Sequence, residues 1–465
     1  MKSIKAIAYI GIFTGWLLAG CNSGTSATGI SNVQSATKNT MSASSADPTK
    51  KGFAIQFTIN ASPLKVAYSP YYYSGTTDPS SCTNAPAIYQ TTITPTLKLN
   101  SNSTLITDWQ NYEYFNCNNA ITKLVIQAIN NASNSILVAA YSFTNPDIAY
   151  ALINKKKEHP SINIKIIADK ANLTAANTMI PVLYQNNIPV YISSAYSIMH
   201  NKFMVIDGNS VEFGSYNYTT EASAEQANNA VIVSNQQLAM AYTDRWQSIL
   251  ANQKTATFDL SQWQPAAASY SPPGYSTPVQ SSRTTSQSVI TPASLNLAGG
   301  LIENVQELAF SNNALNCPPD IATIGTCLPN DGDQPILDLI NNAQKSINIA
   351  AMIISDANIS TALENAAARG INVQIVVDHG YTQYQPIQDL ISSKNIVVRI
   401  NSNYEILHDK YMIVDSETVE TGSYNYSASA YADNAENYVI FYNQPPLAQL
   451  YLADWQRLFN EGSNS

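Results

Sequence analysis

The order of apolar and polar segments is repeated in the two halves of this 465-residue chain. Apolar runs rich in β-branched residues at 135–140 and 346–351 predict buried strands. A segment with helical character follows each run, at about 146–157 and 358–369, and another apolar strand comes next. Strands that alternate with helices in this way predict mixed sheets. The pattern therefore indicates two homologous α/β lobes.

The first twenty residues have the pattern of an export signal. Lys2 and Lys5 precede an apolar run at 7–18 that is shorter than a comfortable membrane span. The run leads into Leu-Ala-Gly-Cys21, which resembles the bacterial lipobox and implies cleavage before Cys21 and lipidation of its thiol. We expect an exported bacterial lipoprotein on the periplasmic or cell-surface face of a membrane, with Asn22 allowing sorting to the outer membrane. An ordinary secretory signal that contains a cysteine is the alternative.

Composition divides the rest of the chain. Residues 22–50 are poor in apolar residues, which predicts a flexible tether, and 255–292 are rich in Ser, Thr, Pro and Gln, which predicts a linker. The predicted organisation is a lipoprotein signal peptide at 1–20, a tether at 21–50, a first lobe at 51–254, a linker at 255–300 and a second lobe at 301–465.

Four cysteines follow Cys21. An even number in an exported chain predicts disulfides, and each half has two cysteines just before its own helix-and-strand core. The predicted pairs are Cys82–Cys117 and Cys317–Cys327, with free thiols as the alternative. Because the chain has no Cys-x-x-Cys or Cys/His cluster, the cysteines do not predict a metal site.

The chain is acidic, with a formal net charge of -9 that becomes more negative once Lys2 and Lys5 are removed. A general nuclease usually has a basic surface, because neutralised phosphates supply most of its nonspecific affinity. The charge therefore opposes a nuclease, although a small basic pocket inside an acidic body would still allow one.

The candidate chemistry lies in a motif that occurs twice with constant spacing. Two of the chain's four histidines open its copies. The motif is His-x-Lys, four residues, Asp, six residues and Gly-Ser-x-Asn, with the members His200, Lys202, Asp207, Gly214, Ser215 and Asn217 in one copy and His408, Lys410, Asp415, Gly422, Ser423 and Asn425 in the other. Complete copies with equal spacing indicate one composite active site, against the alternative of a degenerate, noncatalytic repeat.

This set of side chains suits cleavage of a phosphodiester without a metal or other cofactor. The phosphate repels anionic nucleophiles, so cationic and neutral donors must surround it. The lysines supply charge, the asparagines supply amide donors, and the serine hydroxyls add donors or orient the loop. One imidazole can attack phosphorus to form a phosphohistidine, while the other protonates the departing alcohol and then activates water. The sequence alone leaves open which histidine takes which role.

The duplicated motif resembles the signature of the phospholipase D superfamily, over about 64–250 and 303–460. Two runs, Ala139–Thr144 and Thr418–Asn425, also resemble its bacterial nuclease and cardiolipin-hydrolase branch. The resemblance implies two α/β lobes packed about a pseudo-two-fold axis, with one metal-independent site between them. A monomer would then contain a complete site.

The family also implies unequal roles, with His200 as the nucleophile and His408 as the acid/base. Glu436 occupies a position at which the family often has an acidic partner of a catalytic imidazole, and its equivalent in the first lobe is Asn228. A carboxylate raises the pKa of a histidine more than an amide does. If each partner acts within its own lobe, His408 is the better-supported imidazolium.

Asp207 and Asp415 belong to the signature but stand at the end of a core strand, five residues past each lysine. Because buried carboxylates usually have fixed partners, we expect them to cap the strand or hold the lobe interface, with direct catalysis as the alternative.

Three functions fit these features. The first is a phospholipase D that cleaves phospholipid to phosphatidate and a head group, with phospholipid and a bacterial membrane as its partners. The second is a nuclease with the same mechanism and nucleic acid as its substrate. The third is a noncatalytic surface-binding lipoprotein, which the complete motifs oppose.

Overall fold

The fold is described from a computed structural model over residues 52–58, 62–69, 89–93, 120–265, 305–311, 326–330 and 332–465. The predicted signal peptide, tether and lipidated Cys21 lie outside these residues, as do most of the linker and at least one cysteine of each predicted disulfide. Those features therefore stay predictions. Within the described ranges, no helix has both the length and the apolar character needed to cross a bilayer.

The first half of the chain alternates strands and helices. Its described strands are β1 (Gly52–Thr58), β2 (Ser62–Ser69), β3 (Tyr89–Ile93), β4 (Ser135–Ala140), β5 (Asn163–Asp169), β6 (Val190–Ser193), β7 (Lys202–Ile206), β8 (Ser210–Gly214), β9 (Gln226–Ser234) and β10 (Thr255–Thr257). Its described α-helices are α1 (Ala120–Asn131), α2 (Pro146–Glu158), α3 (Ile180–Gln185), α4 (Thr220–Ala224) and α5 (Gln236–Ala251).

The second half repeats this order. Its described strands are β11 (Val305–Ser311), β12 (Thr326–Asn330), β13 (Ser346–Ala351), β14 (Asn372–Asp378), β15 (Ile396–Asn401), β16 (Ile406–Leu407), β17 (Lys410–Val414), β18 (Thr418–Gly422), β19 (Asn437–Phe441) and β20 (Ser463–Asn464). Its described α-helices are α6 (Gln334–Asn342), α7 (Ala357–Ala368), α8 (Gln385–Ser392), α9 (Ala428–Ala432) and α10 (Pro445–Glu461).

Each lobe is built on a mixed sheet. The first sheet has the order β10-β6-β5-β4-β7-β8-β9-β2-β3, and the second has the order β12-β1-β11-β19-β18-β17-β13-β14-β15-β20. In both sheets a parallel group, β4-β5-β6 or β13-β14-β15, lies beside the antiparallel strand that begins with a motif lysine. The matching orders confirm the predicted fold of two homologous α/β lobes.

Local sequence explains where the predicted helices begin. The side chain of Asn145 accepts hydrogen bonds from two backbone N–H groups in the first turn of α2. Asp356 does the same for α7. Such caps satisfy N–H groups that have no partner within the helix. Both helices therefore begin within a residue of the positions that the sequence predicted.

The last helix of each lobe packs on the sheet behind the motif strand. The indole N–H groups of Trp246 on α5 and Trp455 on α10 donate to carbonyl oxygens of β4 and β13, at 2.9 and 3.0 Å. One apolar cluster contains buried side chains of both halves, among them Phe213 and Phe441, whose rings stack with centroids 6.4 Å apart. The two lobes therefore share a core.

Two predicted boundaries differ from the sheet boundaries. β1 lies in the predicted first lobe but pairs with β11 and β12 of the second sheet. β10 lies in the predicted linker but pairs with β6 of the first sheet, and the indole N–H of Trp263 donates to the Ala175 carbonyl at 3.1 Å. These pairings join segments far apart in the chain, which composition does not reveal.

Candidate active site

The two motif histidines lie where each lobe meets the other. The backbone N–H of His200 donates to the carbonyl oxygen of Ala435 in the second lobe, at 3.0 Å. The backbone N–H of His408 donates to the carbonyl oxygen of Ala227 in the first lobe, at 2.8 Å. The short strand β16, directly before His408, pairs with the start of β9. These reciprocal backbone contacts bring both motif copies to one lobe boundary.

Each imidazole is held through Nδ1 by a side chain of the opposite lobe. Nδ1 of His200 lies 2.8 Å from Oε2 of Glu436, and Nδ1 of His408 lies 2.8 Å from Oδ1 of Asn228. A carboxylate or amide oxygen only accepts hydrogen bonds, so this assignment places a hydrogen on each Nδ1. Both histidines therefore keep Nε2 as the reactive nitrogen.

This crossing corrects the sequence-based interpretation of Glu436. If Glu436 acted within its own lobe, its carboxylate would contact His408. Instead the carboxylate contacts His200, and the amide of Asn228 contacts His408. The reason is local, because Ala435, next to Glu436, is hydrogen-bonded through its backbone to the loop that carries His200. The premise that each partner acts within its own lobe was therefore wrong, and the inference that Glu436 stabilises a protonated His408 does not follow.

The motif serines hold the partners of the histidines. Oγ of Ser423 donates to Oε2 of Glu436 at 2.6 Å, and Oγ of Ser215 donates to Oδ1 of Asn228 at 3.2 Å. Each hydroxyl also accepts a backbone N–H from the neighbouring strand at 3.0 Å. The serines therefore orient Glu436 and Asn228, a role that differs from the donation to phosphate or orientation of the loop that the sequence suggested.

The motif glycines allow the backbone of each serine to approach the next strand. The N–H groups after Gly214 and Gly422 donate to the carbonyl oxygens of Asn229 and Asn437, at 3.1 and 2.8 Å. A Cβ at either glycine would collide with that same carbonyl oxygen. Gly214 also has a φ of 155°. Glycine is required here because any side chain would push the serine away from its strand.

The motif lysines are buried cations beside the histidines. Lys202 and Lys410 are at most 1% exposed, and each Nζ donates to the carbonyl oxygen of the histidine in its own motif, at 2.6 and 2.5 Å. Burial lowers the pKa of Lys202 well below its usual value and lowers the pKa of Lys410 to about 7. A bound anion would oppose this effect by stabilising the charged ammonium groups. An anion beside these lysines would therefore favour their charged form.

The histidines have lowered pKa values for related reasons. Burial lowers the pKa of His200 to about 4, although Glu436 opposes the effect. Burial, together with Lys410, Lys202 and His200, lowers the pKa of His408 well below its usual range. Because charges of one motif influence the other, the four side chains form one electrostatic site.

Asn217 and Asn425 lie in tight turns at the end of the two motif copies. Both side chains are half-exposed, and their Oδ1 atoms have no hydrogen-bond partner in the part of the chain that the structure describes. Their backbone carbonyls accept from the residue two positions later, at 2.7 Å, which fixes a tight turn. Because these Oδ1 atoms are buried acceptors, they do not bear on donation, and the role of the two amides as neutral donors to a phosphate stays a prediction.

Asp207 and Asp415 bind backbone away from the histidines. The carboxylate of Asp207 accepts the N–H groups of residues 133–135 at 2.6–2.9 Å, and that of Asp415 accepts those of residues 344–346 at 2.6–3.2 Å. Each aspartate follows the far end of its motif strand, roughly 16 Å from the lysine at strand spacing. This geometry favours the structural role that we expected over direct catalysis.

Asp169 and Asp378 position the histidine loops, and the sequence analysis missed them. Oδ2 of Asp169 accepts the N–H of Met199 at 2.7 Å, and Oδ2 of Asp378 accepts that of Leu407 at 2.6 Å. Met199 and Leu407 directly precede the two histidines. The duplication could have revealed the aspartates, since they end β5 and β14, which are equivalent strands.

The variable residue of each His-x-Lys motif also binds the opposite lobe. Nδ2 of Asn201 donates to Oδ1 of Asn437 at 3.0 Å, and Nδ2 of Asn229 donates to Oδ1 of Asp409 at 2.8 Å. All four side chains are buried. These contacts fix the distance between the two motif copies, and sequence spacing within one lobe could not predict them.

Within the described ranges, His, Cys, Asp and Glu side chains form no group of three or more that could hold a metal ion. The two buried lysines are the cationic donors that lie beside the histidines.

These residues lie within two matches to one protein family. The family model described as "Cardiolipin synthase, PLD-like domain" matches residues 125–250 and 336–459, more than half of the chain. The chain therefore belongs to the phospholipase D-like family, which confirms the resemblance inferred from the motifs.

Individual proteins that resemble this chain match shorter segments of it. The chain is 40% identical over 122 residues to a phospholipase D of Rickettsia conorii, covering 26% of this chain and 60% of that protein. It is 35% identical over 125 residues to a phospholipase D of Rickettsia typhi, covering 27% and 60%. It is 25% identical over 141 residues to a mitochondrial cardiolipin hydrolase of Xenopus laevis, covering 30% and 66%. The match thus spans about three-fifths of the length of the Rickettsia proteins.

A solved structure shows the same fold. A phosphatidylserine synthase of Haemophilus influenzae is 15% identical, with a TM-score of 0.50 over 74% of this chain and 85% of that chain. The phospholipase D family member NUC of Salmonella typhimurium is 36% identical, with a TM-score of 0.28 over 28% of this chain and 89% of that chain. The first likeness extends across both lobes and concerns the fold alone.

Proposed function

We propose that the protein is a metal-independent phosphodiesterase of the phospholipase D type, which hydrolyses a phospholipid to phosphatidate and a head group through a phosphohistidine. The observation that carries the proposal is the reciprocal holding of two buried imidazoles through Nδ1, which leaves Nε2 free on both. Two buried lysines that contact the backbone of these histidines support binding of a phosphate anion, and the half-exposed Asn217 and Asn425 are proposed as further donors.

In the first step, Nε2 of His200 attacks phosphorus while the bond from phosphorus to the head-group oxygen breaks. The proton on Nε2 of His408 passes to that oxygen, so the head group leaves as an alcohol. His408 has a lowered pKa in the free protein. The negative charge of the bound phosphate raises this pKa and so favours the protonated imidazole before the transfer.

In the second step, water replaces the head group. His408 is now neutral and accepts a proton from water while the water oxygen attacks phosphorus. The bond between phosphorus and Nε2 of His200 breaks, phosphatidate leaves, and His408 is again protonated. Splitting the reaction in this way gives two displacements, each with a positioned nucleophile and a positioned proton carrier.

Glu436 supports His200 as the nucleophile. Attack on phosphorus places positive charge on the imidazole, and a carboxylate 2.8 Å from its Nδ1 stabilises that charge. His408 has the neutral amide of Asn228 in the equivalent place, so its proton is more easily transferred. These roles agree with those that the family resemblance implied.

Lipid is the proposed substrate class, and nucleic acid is the alternative. The net charge of -9 opposes a general nucleic-acid surface, and the curated relatives described above carry the names phospholipase D and mitochondrial cardiolipin hydrolase. On the sequence grounds given above, we also propose an exported lipoprotein that is lipidated at Cys21 and acts as a monomer at the outer membrane.

The test compares purified protein lacking residues 1–20 on labelled phospholipid and on single- and double-stranded DNA, in the presence of EDTA. We expect release of the head group from phospholipid, no inhibition by EDTA, and no turnover by His200→Ala. Cleavage of DNA with phospholipid untouched would establish the nuclease alternative. Inhibition by EDTA that added metal reverses would contradict the metal-independent mechanism.

A further inference from the structure

The residue after β4 and the residue after β13 occupy equivalent places beside the two motifs. The backbone N–H of Tyr141 donates to the carbonyl oxygen of Asn201 at 3.2 Å, and that of Met352 donates to the carbonyl oxygen of Asp409 at 3.0 Å. Both carbonyls belong to the residue between the motif histidine and lysine. The backbone is therefore duplicated here, while the side chains differ.

These two side chains are the half-exposed neighbours of the buried catalytic groups. The Tyr141 ring lies with its centroid 5.1 Å from that of His200 and 5.2 Å from Nζ of Lys202. Sδ of Met352 lies 3.9 Å from Nζ of Lys410. The next pair repeats the contrast, since half-exposed Ser142 corresponds to half-exposed Ile353. One flank of the site is thus aromatic and hydroxyl-bearing, and the other is aliphatic.

The contrast matters because a phosphodiester has two ester arms. The pairs of lysines and asparagines are nearly equivalent by the pseudo-two-fold relation, so they hold a phosphate equally well in two orientations. With His200 as nucleophile and His408 as acid, the arm that points towards His408 is the arm that leaves. Side chains that differ between the flanks must therefore select which bond breaks.

We propose that Tyr141 and Met352 form an orientation pair, in which Tyr141 contacts the ester arm that stays on phosphorus and Met352 contacts the departing alcohol. The inference rests on the proposed function, which supplies the reaction. Tyr141 offers a large rigid face and a hydroxyl to the retained arm. Met352 offers a flexible thioether that adapts to head groups of different shape.

The product distribution reports the orientation directly. In the proposed orientation, the bond from phosphorus to the choline oxygen of phosphatidylcholine breaks, and water completes phosphatidate. In the reversed orientation, the bond from phosphorus to the glyceride oxygen breaks, His408 protonates that oxygen, and diacylglycerol leaves. Water then attacks the phosphocholine that is bound to His200 and releases it. Both outcomes consume one water and use the same catalytic groups.

The test is the double exchange Tyr141→Met and Met352→Tyr, assayed on phosphatidylcholine in mixed micelles with separate labels on choline and glycerol. We expect the ratio of free choline to phosphocholine to fall by about tenfold or more, the size of effect that one pocket contact has on specificity. The ratio does not depend on how much of the variant is folded. Tyr150→Met, on an exposed residue of α2, is the matched control and should leave the ratio unchanged.

Two results would overturn the inference. One is a double exchange that turns over with the wild-type product ratio. The other is a folded double exchange without turnover, since that would make the pair part of the chemistry. If the wild type cleaves DNA but not phospholipid, the proposed lipid substrate is wrong, yet the orientation pair can still be tested. On a labelled oligonucleotide, the double exchange should then change the ratio of products that end in a 5′-phosphate to products that end in a 3′-phosphate.

Discussion

The two lobes have nearly the same backbone at the site but give their histidines different partners. His200 receives a carboxylate from Glu436, and His408 receives an amide from Asn228, each from the opposite lobe at 2.8 Å. The difference shows how a duplicated chain can divide one reaction between equivalent residues. The copies supply the same cations and donors, while the exchanged partners decide which imidazole best bears a positive charge.

The largest expected effect is loss of either histidine. His200→Ala removes the nucleophile, and His408→Ala removes the acid/base, so each should lower kcat by about 10⁴-fold. Because the two act on one phosphate, the double variant should be little worse than either single variant. Steady-state kinetics of the three proteins measure this. Half of the wild-type activity in each single variant would instead mean two independent sites.

Removing the charge of Glu436 should have a smaller effect that is specific to His200. Glu436→Gln keeps the shape of the side chain but no longer stabilises positive charge on the imidazole, so we expect kcat to fall by about 10²-fold. Glu405→Gln is the matched control, since Glu405 is exposed and contacts Gln226 across the same boundary. Equal kcat values in the two variants would show that the charge of Glu436 does not assist His200.

Adding a charge behind His408 should move the pH dependence. The pKa of His408 is lowered in the free protein, and activity requires its protonated form. Asn228→Asp supplies a carboxylate that raises this pKa, so activity should persist to higher pH and the basic limb of the kcat profile should move up by about one pH unit. Gln236→Glu adds a charge at the exposed first residue of α5 and is the control. A basic limb that stays in place, or moves down, would contradict the role of His408.

The smallest expected effect on turnover is at Asp207. Its carboxylate binds three backbone N–H groups, so Asp207→Ala should lower the free energy of unfolding by about 2 kcal/mol. Asp207→Asn keeps an acceptor and tolerates the φ of 53°, so its loss should be smaller. Urea unfolding measures the free energy of unfolding, and kcat is measured under conditions in which each variant is fully folded. A kcat more than tenfold lower in folded Asp207→Asn would indicate a catalytic role.

The sequence predicted the parts of the site that lie within one repeat. β4 and β13 occupy the predicted runs, and the spacing of His, Lys, Ser and Asn places them at the lobe boundary. Contacts between the repeats were beyond this reasoning. The partner of His200 is far away in the chain, and the backbone hydrogen bonds of Ala435 bring it to the His200 loop.

The same limit applies to the strands at the ends of the two lobes. Composition identifies a segment poor in apolar residues, but it does not reveal that β1 pairs with β11, or that β10 pairs with β6. Asp169 and Asp378 illustrate a different limit, because their signal was present in the repeat. An aspartate after an apolar strand has many ordinary roles, so the residue type alone did not single it out.

The most direct test of unequal histidines is to trap the covalent intermediate. A phosphodiester with a p-nitrophenyl leaving group needs little help from an acid, so His408→Ala should still form a phosphohistidine but should hydrolyse it slowly. Peptide mapping by mass spectrometry after rapid quenching should then locate the phosphoryl group on His200, with none in His200→Ala. A phosphoryl group on His408 in His200→Ala, or none on His200 in His408→Ala, would contradict the account.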